Sequence, residues 1–196
     1  GGQTTSLARR SLVNGYSKGG KMYTWQAKSY QVSENTGLSV KSYRDGDGGD
    51  IDINCTETIT IEGAVTANGA GAGDGGTIKM TAPTFSFSGN PSFSANAGPG
   101  GDGKGGEISI LNGAGEDPIT DFLGASAELF SAKGSGTGNG GTVTIDKINP
   151  DMLIHKVINV DGGSAITAVD QALGSISLNG VKCTQWRRHA SETDWP

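Results

Sequence analysis

The sequence is poor in aromatic residues, basic clusters and long apolar runs, and each of the last two shortages excludes a class of protein. Aromatic residues make up 6% of the 196 residues, and 15 Lys and Arg stand against 20 Asp and Glu, for a formal net charge of −5. The basic residues form no long patch, so we expect no nucleic-acid partner. No apolar run reaches the roughly 20 residues that cross a bilayer, so we expect no membrane-spanning segment.

Glycine is the residue that the chain has in abundance, with 34 copies. Many of them form a pair that precedes an alternating segment, as in Gly48-Gly49-Asp50-Ile51-Asp52-Ile53. The other copies of the pair are Gly19-Gly20, Gly75-Gly76, Gly105-Gly106, Gly140-Gly141 and the degenerate Leu173-Gly174. The second glycine recurs about every 30 residues, a period typical of a solenoid.

The segment after each glycine pair alternates between apolar and mostly polar residues. The residues two positions after the second glycine are all apolar: Met22, Ile51, Ile78, Ile108, Val143 and Ile176. A period of two predicts a strand with one buried and one solvated side. Because the register is the same in every copy, we expect the apolar residues to stack in columns inside one core.

Two further strand-like elements accompany each copy of the glycine pair. One has Ser, Thr or Asn between two apolar residues, at 38–40, 65–67, 93–95, 130–132 and 158–160. The other lies at 30–32, 59–61 and 85–87, and is less regular at 119–123 and 152–154. Three short strands and three turns per copy predict one coil of a parallel β-helix.

The sequence therefore predicts an all-β fold, a right-handed parallel β-helix (solenoid) of about five to six coils over residues 19–183. We expect residues 1–18 to form an irregular N-terminal cap or extension, because an open solenoid end would template aggregation, and residues 184–196 to form a C-terminal cap or the start of a further region. The glycines would serve corners that need either positive φ angles or close approach of two backbones.

The same register places the two cysteines, Cys55 and Cys183, four coils apart. Four coils span roughly 19 Å at the usual strand spacing. A disulfide needs Cα atoms within about 7 Å of each other. We therefore predict that the two cysteines do not pair.

The coils resemble those of a known group of proteins. Gly138-Asn139-Gly140-Gly141-Thr142-Val143-Thr144-Ile145 is similar to a coil of filamentous-haemagglutinin-type exoproteins, as is Val65-Thr66-Ala67-Asn68-Gly69 with the glycine-rich turn that follows it. The resemblance covers roughly residues 19–180. It implies a secreted or cell-surface protein that serves in adhesion or as a scaffold.

Four charged residues are the candidates for catalysis if the chain is an enzyme: Asp50, Asp52, Lys79 and Glu107. They could share one outward face, with Asp52 and Lys79 in the same column on neighbouring coils. A polysaccharide lyase, hydrolase or tailspike-like depolymerase would need two or three carboxylates, or a basic residue, on such a face. Opposite charges on adjacent strands are also ordinary cross-strand pairs, and this interpretation stays open.

Two further sets of residues are candidates for ligand binding. Tyr23 and Trp25 point outward by the alternation and would form a platform for a sugar, or else pack beneath the N-terminal cap. Asp45, Asp47 and Asp50 form the densest carboxylate cluster and are candidate Ca²⁺ ligands, although Asp-Gly is also ordinary turn chemistry. We expect no cofactor, with Ca²⁺ as the alternative, and we take the longer segment 112–121 as a variable loop.

The sequence favours an extracellular structural or adhesive β-helix over an enzyme. Its partners would be carbohydrate or cell-surface ligands, or copies of itself in a surface assembly or filament. The alternative is the polysaccharide-acting enzyme that uses the outward carboxylates. Ice binding ranks last, because the outward column formed by Ser39, Thr66, Ser94, Ser131 and Asn159 is poor in Thr.

Overall fold

The computed structural model describes residues 4–7, 11–24, 27–113, 128–146, 157–163, 174–178 and 181–184. These residues form β-strands and the turns and loops that join them, and none of them lies in a helix. The strands are β1 (Thr4–Leu7), β2 (Ser11–Leu12), β3 (Lys21–Tyr23), β4 (Ala27–Val32), β5 (Leu38–Ser39), β6 (Asp50–Ile61), β7 (Ala64–Thr66), β8 (Thr77–Ala82), β9 (Thr84–Phe87), β10 (Ser92–Ser94), β11 (Glu107–Asn112), β12 (Glu128–Ser131), β13 (Thr142–Ile145), β14 (Val157–Asn159), β15 (Ser175–Leu178) and β16 (Val181–Thr184).

Apart from β16, the strands stack in parallel on three faces of a β-solenoid. Face 1 contains β3, the first half of β6, β8, β11, β13 and β15. Face 2 contains β1, β4, the second half of β6 and β9. Face 3 contains β2, β5, β7, β10, β12 and β14. The all-β parallel solenoid that the repeat predicts is confirmed.

The solenoid has about four turns, fewer than the five to six coils predicted from the glycine pairs. The later glycine pairs do supply strands to faces 1 and 3. The segments expected to supply face 2 in those copies, 119–123 and 152–154, lie outside the described residues, as does most of the expected variable loop.

The register of face 1 is the one that the alternation predicts. Met22 is opposite Ile51, and the same column continues through Ile78, Ile108, Val143 and Ile176. Five of these six side chains are buried, and Met22 packs against the core while partly buried. The buried column removes apolar surface from water along the length of the solenoid, which is the main favourable contribution to folding.

Face 3 supplies the large aromatic part of the core. Phe93 pairs in register with Phe130, and their ring centroids are 4.9 Å apart in a stacked arrangement. Phe87, from face 2, meets Phe93 edge to face at 6.1 Å. All three rings are buried, and aromatic pairs at these distances stabilise a core beyond their area alone.

The glycine pairs close the base of each long turn through close backbone approach. The amide N–H of Gly76 donates to the carbonyl of Ala67 at 2.7 Å, within one coil. A Cβ on Gly76 would collide with the carbonyl oxygen of Gly49 on the preceding coil. The described positive-φ glycines lie elsewhere, for example Gly71 at φ 56°. Of the two roles expected for the glycine pairs, close approach is the one that Gly76 shows.

Both ends of the described structure extend the sheets. At the N-terminal end, β1 pairs in parallel with β4, and β2 with β5, so part of the segment expected to be an irregular cap forms strands. At the C-terminal end, β16 pairs antiparallel with β15. The strand that carries Cys183 is thus separated from β6, which carries Cys55, by β8, β11, β13 and β15. Cys55 is a buried free thiol, which confirms the prediction that it does not pair with Cys183.

Candidate functional site

An open groove of about 400 Å³ lies on face 1, over β3, β6 and β8. Four charged side chains and one tyrosine line it together with Met22, Ile51 and Thr77: Lys21, Tyr23, Asp50, Asp52 and Lys79. The groove is therefore where the structure brings the sequence candidates together.

The polar residues reach the groove because they alternate with the apolar residues of their strands. Ile51 and Ile53 are fully buried, so Asp50 and Asp52 point to the other side of β6. Lys21 lies opposite Asp50 in the parallel register. The Lys21 ammonium lies 3.0 Å from the Asp50 carboxylate. Lys21 is not among the residues predicted from the sequence, although it occupies the position of Asp50 in the preceding copy of the repeat.

The groove has two outward columns of side chains: Lys21, Asp50 and Thr77 form the first, and Tyr23, Asp52 and Lys79 form the second. Tyr23 precedes Asp52 on β3 and Lys79 follows it on β8, each in direct register. Tyr23 is 73% exposed. Asp52 and Lys79 are neighbours in the column, but they are not among the ion pairs shorter than 4 Å in the described part of the chain. Both charges face the solvent of the groove.

Two candidate residues lie elsewhere. Glu107 stands opposite Thr77, one strand beyond Lys79, and is not among the residues that line the groove. Its carboxylate accepts a hydrogen bond from the Ser109 hydroxyl at 3.0 Å. Trp25 lies outside the described residues. The groove therefore offers two carboxylates, two ammonium groups and one phenol, which can bind a hydroxyl-rich ligand and supply a general acid or base.

The carboxylates of the long turns bind backbone amides of the next coil. Asp45 Oδ1 accepts the N–H of Ala72 at 3.3 Å, and Asp47 Oδ1 accepts the N–H of Asp74 at 3.0 Å. Among the described residues, no group of three or more His, Cys, Asp or Glu side chains is placed to hold a metal ion. Calcium binding by Asp45, Asp47 and Asp50 stays a prediction, and each of the three carboxylates already has a protein partner.

Asp102 repeats this contact two coils further along. Its Oδ1 accepts the backbone N–H of Thr137 at 2.7 Å. This backbone hydrogen bond, with a smaller contribution from the Thr137 side chain, holds the pKa of Asp102 below its ordinary value. The charged form is favoured because it is the better acceptor.

Asparagine side chains cover part of the serine column on face 3. Asn14 Oδ1 accepts the Ser39 hydroxyl at 3.0 Å, and Asn96 Oδ1 accepts the Ser131 hydroxyl at 2.8 Å. Ser39 and Ser131 are both buried. These two serines of the outward column are therefore covered by asparagine side chains, which weakens the case for ice binding further.

No family model, no curated protein and no solved structure matches the chain. The resemblance to filamentous-haemagglutinin-type exoproteins thus gains no support from these comparisons. In the part of the chain that the structure describes, no helix has both the length and the hydropathy to cross a membrane.

Proposed function

We propose that the chain is an extracellular structural or adhesive β-solenoid, of the kind formed by filamentous-haemagglutinin-type exoproteins. It would be secreted or held at a cell surface, with carbohydrate or cell-surface ligands, or copies of itself, as partners. The observation that carries the proposal is the repeated use of turn and face 3 side chains to join one coil to the next, as with Asp102 and Thr137.

This use of polar residues suits a scaffold. Asn68 Oδ1 binds both the hydroxyl of Ser94 and the amide of Asn96 on the next coil, at 2.6 and 2.8 Å. Asp74 Oδ1 binds the amide of Lys104 at 2.7 Å. Each contact stiffens the stack along its axis and leaves the side chain less available for chemistry. A stiff rod with polar faces is suited to presenting binding surfaces or to assembling with further copies.

The test of the scaffold is a panel of polysaccharides with two readouts, retained binding and release of new chain ends, together with electron microscopy of the protein. We expect binding or assembly without release of chain ends. Cleavage of any polymer in the panel would overturn the scaffold function in favour of the alternative.

The alternative is a polysaccharide-acting enzyme that works in the groove of face 1, and the observation that favours it is the joint presence of Asp50, Asp52 and Lys79 there. Under this alternative, one carboxylate would act as acid or base and the second as its partner. Glu107 lies outside the lining of the groove and would have at most an indirect part.

One strand supplies a matched pair of variants for the alternative. Asp52 and Glu57 are both exposed on β6, but Glu57 lies on face 2, in an ion pair with Lys28 at 2.9 Å. Asp52→Asn should abolish chain cleavage if the groove is catalytic, whereas Glu57→Gln should leave it unchanged. Equal activity of the two variants and the unmodified protein would exclude a catalytic Asp52.

A further inference from the structure

A second polar surface, separate from the groove, lies on the long turns that follow β2 and β5. We call it the tyrosine–cation surface, and it consists of Asn14, Tyr16, Lys41, Tyr43 and Arg44. The two turns run side by side, because the amide of Tyr43 donates to the carbonyl of Gly15 at 3.1 Å and the amide of Arg44 to that of Tyr16 at 3.2 Å. The two tyrosines therefore stand on neighbouring coils, about 4.8 Å apart along the axis.

Both rings are open to solvent. Tyr16 is 67% exposed and Tyr43 is 60% exposed, whereas Tyr30, a core tyrosine of the coil that carries Tyr43, is only 4% exposed. Exposure of this degree means that neither ring contributes much to the core. A tyrosine ring with a free face and a polar hydroxyl is a common element of binding surfaces.

Each exposed ring carries its own cation. The Arg44 guanidinium carbon lies 4.7 Å from the centroid of the Tyr16 ring, and Lys41 Nζ lies 5.7 Å from the centroid of the Tyr43 ring. Both distances are within the range of cation–π attraction. The amide of Asn14 also donates to the Tyr43 hydroxyl at 2.9 Å. These contacts fix the rings before any ligand arrives, which lowers the entropic cost of binding.

The two cations keep their charge available. The ion pairs in the described part of the chain join Lys21 to Asp50 and Lys28 to Glu57, and neither involves Lys41 or Arg44. The nearest carboxylate in sequence, that of Asp45, accepts the amide of Ala72 on the next coil. A planar guanidinium and an ammonium beside open rings complement a ligand that combines ring faces with carboxylates.

We propose that the tyrosine–cation surface binds an acidic polysaccharide, with sugar rings against Tyr16 and Tyr43 and uronate carboxylates on Arg44 and Lys41. A polymer with one carboxylate on each sugar can meet both cations in consecutive residues, which a neutral glucan cannot. The inference rests on the proposed adhesive function and names its ligand class and its site.

The experiment measures binding of the full chain to polygalacturonate, which carries one carboxylate per sugar, by affinity electrophoresis and by calorimetry. Dextran serves as the neutral polymer and a single-stranded oligonucleotide as the polyanion without sugar carboxylates. We expect polygalacturonate to bind, with weakening at high salt because the contact is partly ionic, and dextran and the oligonucleotide to bind at least 10-fold more weakly.

Two double variants and two matched controls locate the contact. Tyr16→Ala with Tyr43→Ala, and separately Lys41→Gln with Arg44→Gln, should each weaken binding of polygalacturonate at least 10-fold. Lys182→Gln removes an exposed lysine from β16, and Lys28→Gln removes a lysine from face 2; neither residue belongs to the groove or to the tyrosine–cation surface, and both variants should bind as the unmodified protein does. Circular dichroism checks that each variant keeps its β structure, and the charge variant tests the surface without removing any ring.

The possible failures are distinguishable. Equal loss in the controls, equal binding of dextran or preferential binding of the oligonucleotide would overturn the proposed site or its ligand class. Absence of binding to polygalacturonate would overturn it as well, while adhesion to another polymer of the panel would leave the proposed function intact. Only the release of new chain ends, or a protein that neither binds nor assembles, would remove the proposed function itself.

Discussion

The side-chain Oδ1 of Asn96 accepts a hydrogen bond from the Ser131 hydroxyl at 2.8 Å and another from the Lys133 amide at 2.8 Å, both on the next coil. Asn68 makes the same pair of contacts one coil earlier, with Ser94 and Asn96. These contacts satisfy hydroxyl groups that the stack itself shields from water. Stability of the solenoid therefore depends on polar contacts between coils as well as on the apolar core.

Replacement of Asn96 by Ala should lower the free energy of unfolding by about 1–3 kcal/mol, because the buried Ser131 hydroxyl and the Lys133 amide both lose their acceptor. Urea unfolding measures the change. The control is Asn90→Ala, which removes an exposed asparagine whose amide donates to Glu34 at 3.2 Å. An equal effect of the two substitutions would contradict a special role for the contact between coils.

Replacement of Gly76 by Ala should destabilise the fold by about 3 kcal/mol, because the added Cβ meets the backbone carbonyl of Gly49 and a whole coil must shift. The matched control is Gly113→Ala, where the added Cβ would lie 3.5 Å from the Thr81 methyl group, at ordinary contact distance. Thermal unfolding of the two variants compares the sites. Similar stabilities would show that the coils can separate locally at little cost.

The carboxyl of Asp102 should titrate below the ordinary range for aspartate, because the amide of Thr137 favours its charged form. Because the pKa of Asp102 is lowered in the folded state, its contact stabilises the fold more at neutral pH than at acidic pH. The contribution to stability is fully present above the pKa of the unfolded chain and is lost as the pH falls through the lowered value. NMR titration of the carboxyl carbon measures it directly, with the Asp102→Asn variant to assign the signal. A midpoint at or above the ordinary aspartate value would refute the contact.

The stability of the solenoid should fall in alkaline solution. Burial raises the pKa of Cys55 from 9.0 to about 11, and burial, with the neighbouring Cys55, raises the pKa of Tyr30 from 10.0 to about 12. Between the unfolded and folded values the native state holds a proton that the unfolded chain has released. The free energy of unfolding therefore falls as the pH rises from about 9 to 12, by at most about 1.4 kcal/mol per pH unit for each group.

Urea unfolding at intervals between pH 8 and pH 12 measures this slope. Cys55→Ala and Tyr30→Phe should each flatten it over the window of the group removed. A slope identical to that of the unmodified protein in both variants would mean that neither group is responsible.

The predicted register of face 1 is confirmed because it depends on a short apolar–polar pattern that recurs in every copy of the repeat. The column from Met22 to Ile176 follows from the alternation and the repeat, and the repeat also predicts that Phe93 and Phe130 occupy equivalent positions on successive coils. The predicted coil count is higher than the observed one, since a glycine pair identifies a strand of face 1 and not a complete turn. The groove was partly foreseen, because Asp50, Asp52 and Lys79 share the outward side of neighbouring strands.

The sequence by itself determined which residues form strands and which side of each strand enters the core, because both depend on neighbours two positions away. Only the tertiary structure decided how the polar residues are used. Asp47 meets the amide of Asp74, and Arg44 lies over the ring of Tyr16, because the coil length places residues about 30 positions apart in contact. The exact length of each turn decides which residues of neighbouring coils come into contact. Because the coils stack on one another, these contacts form only when the whole solenoid is folded.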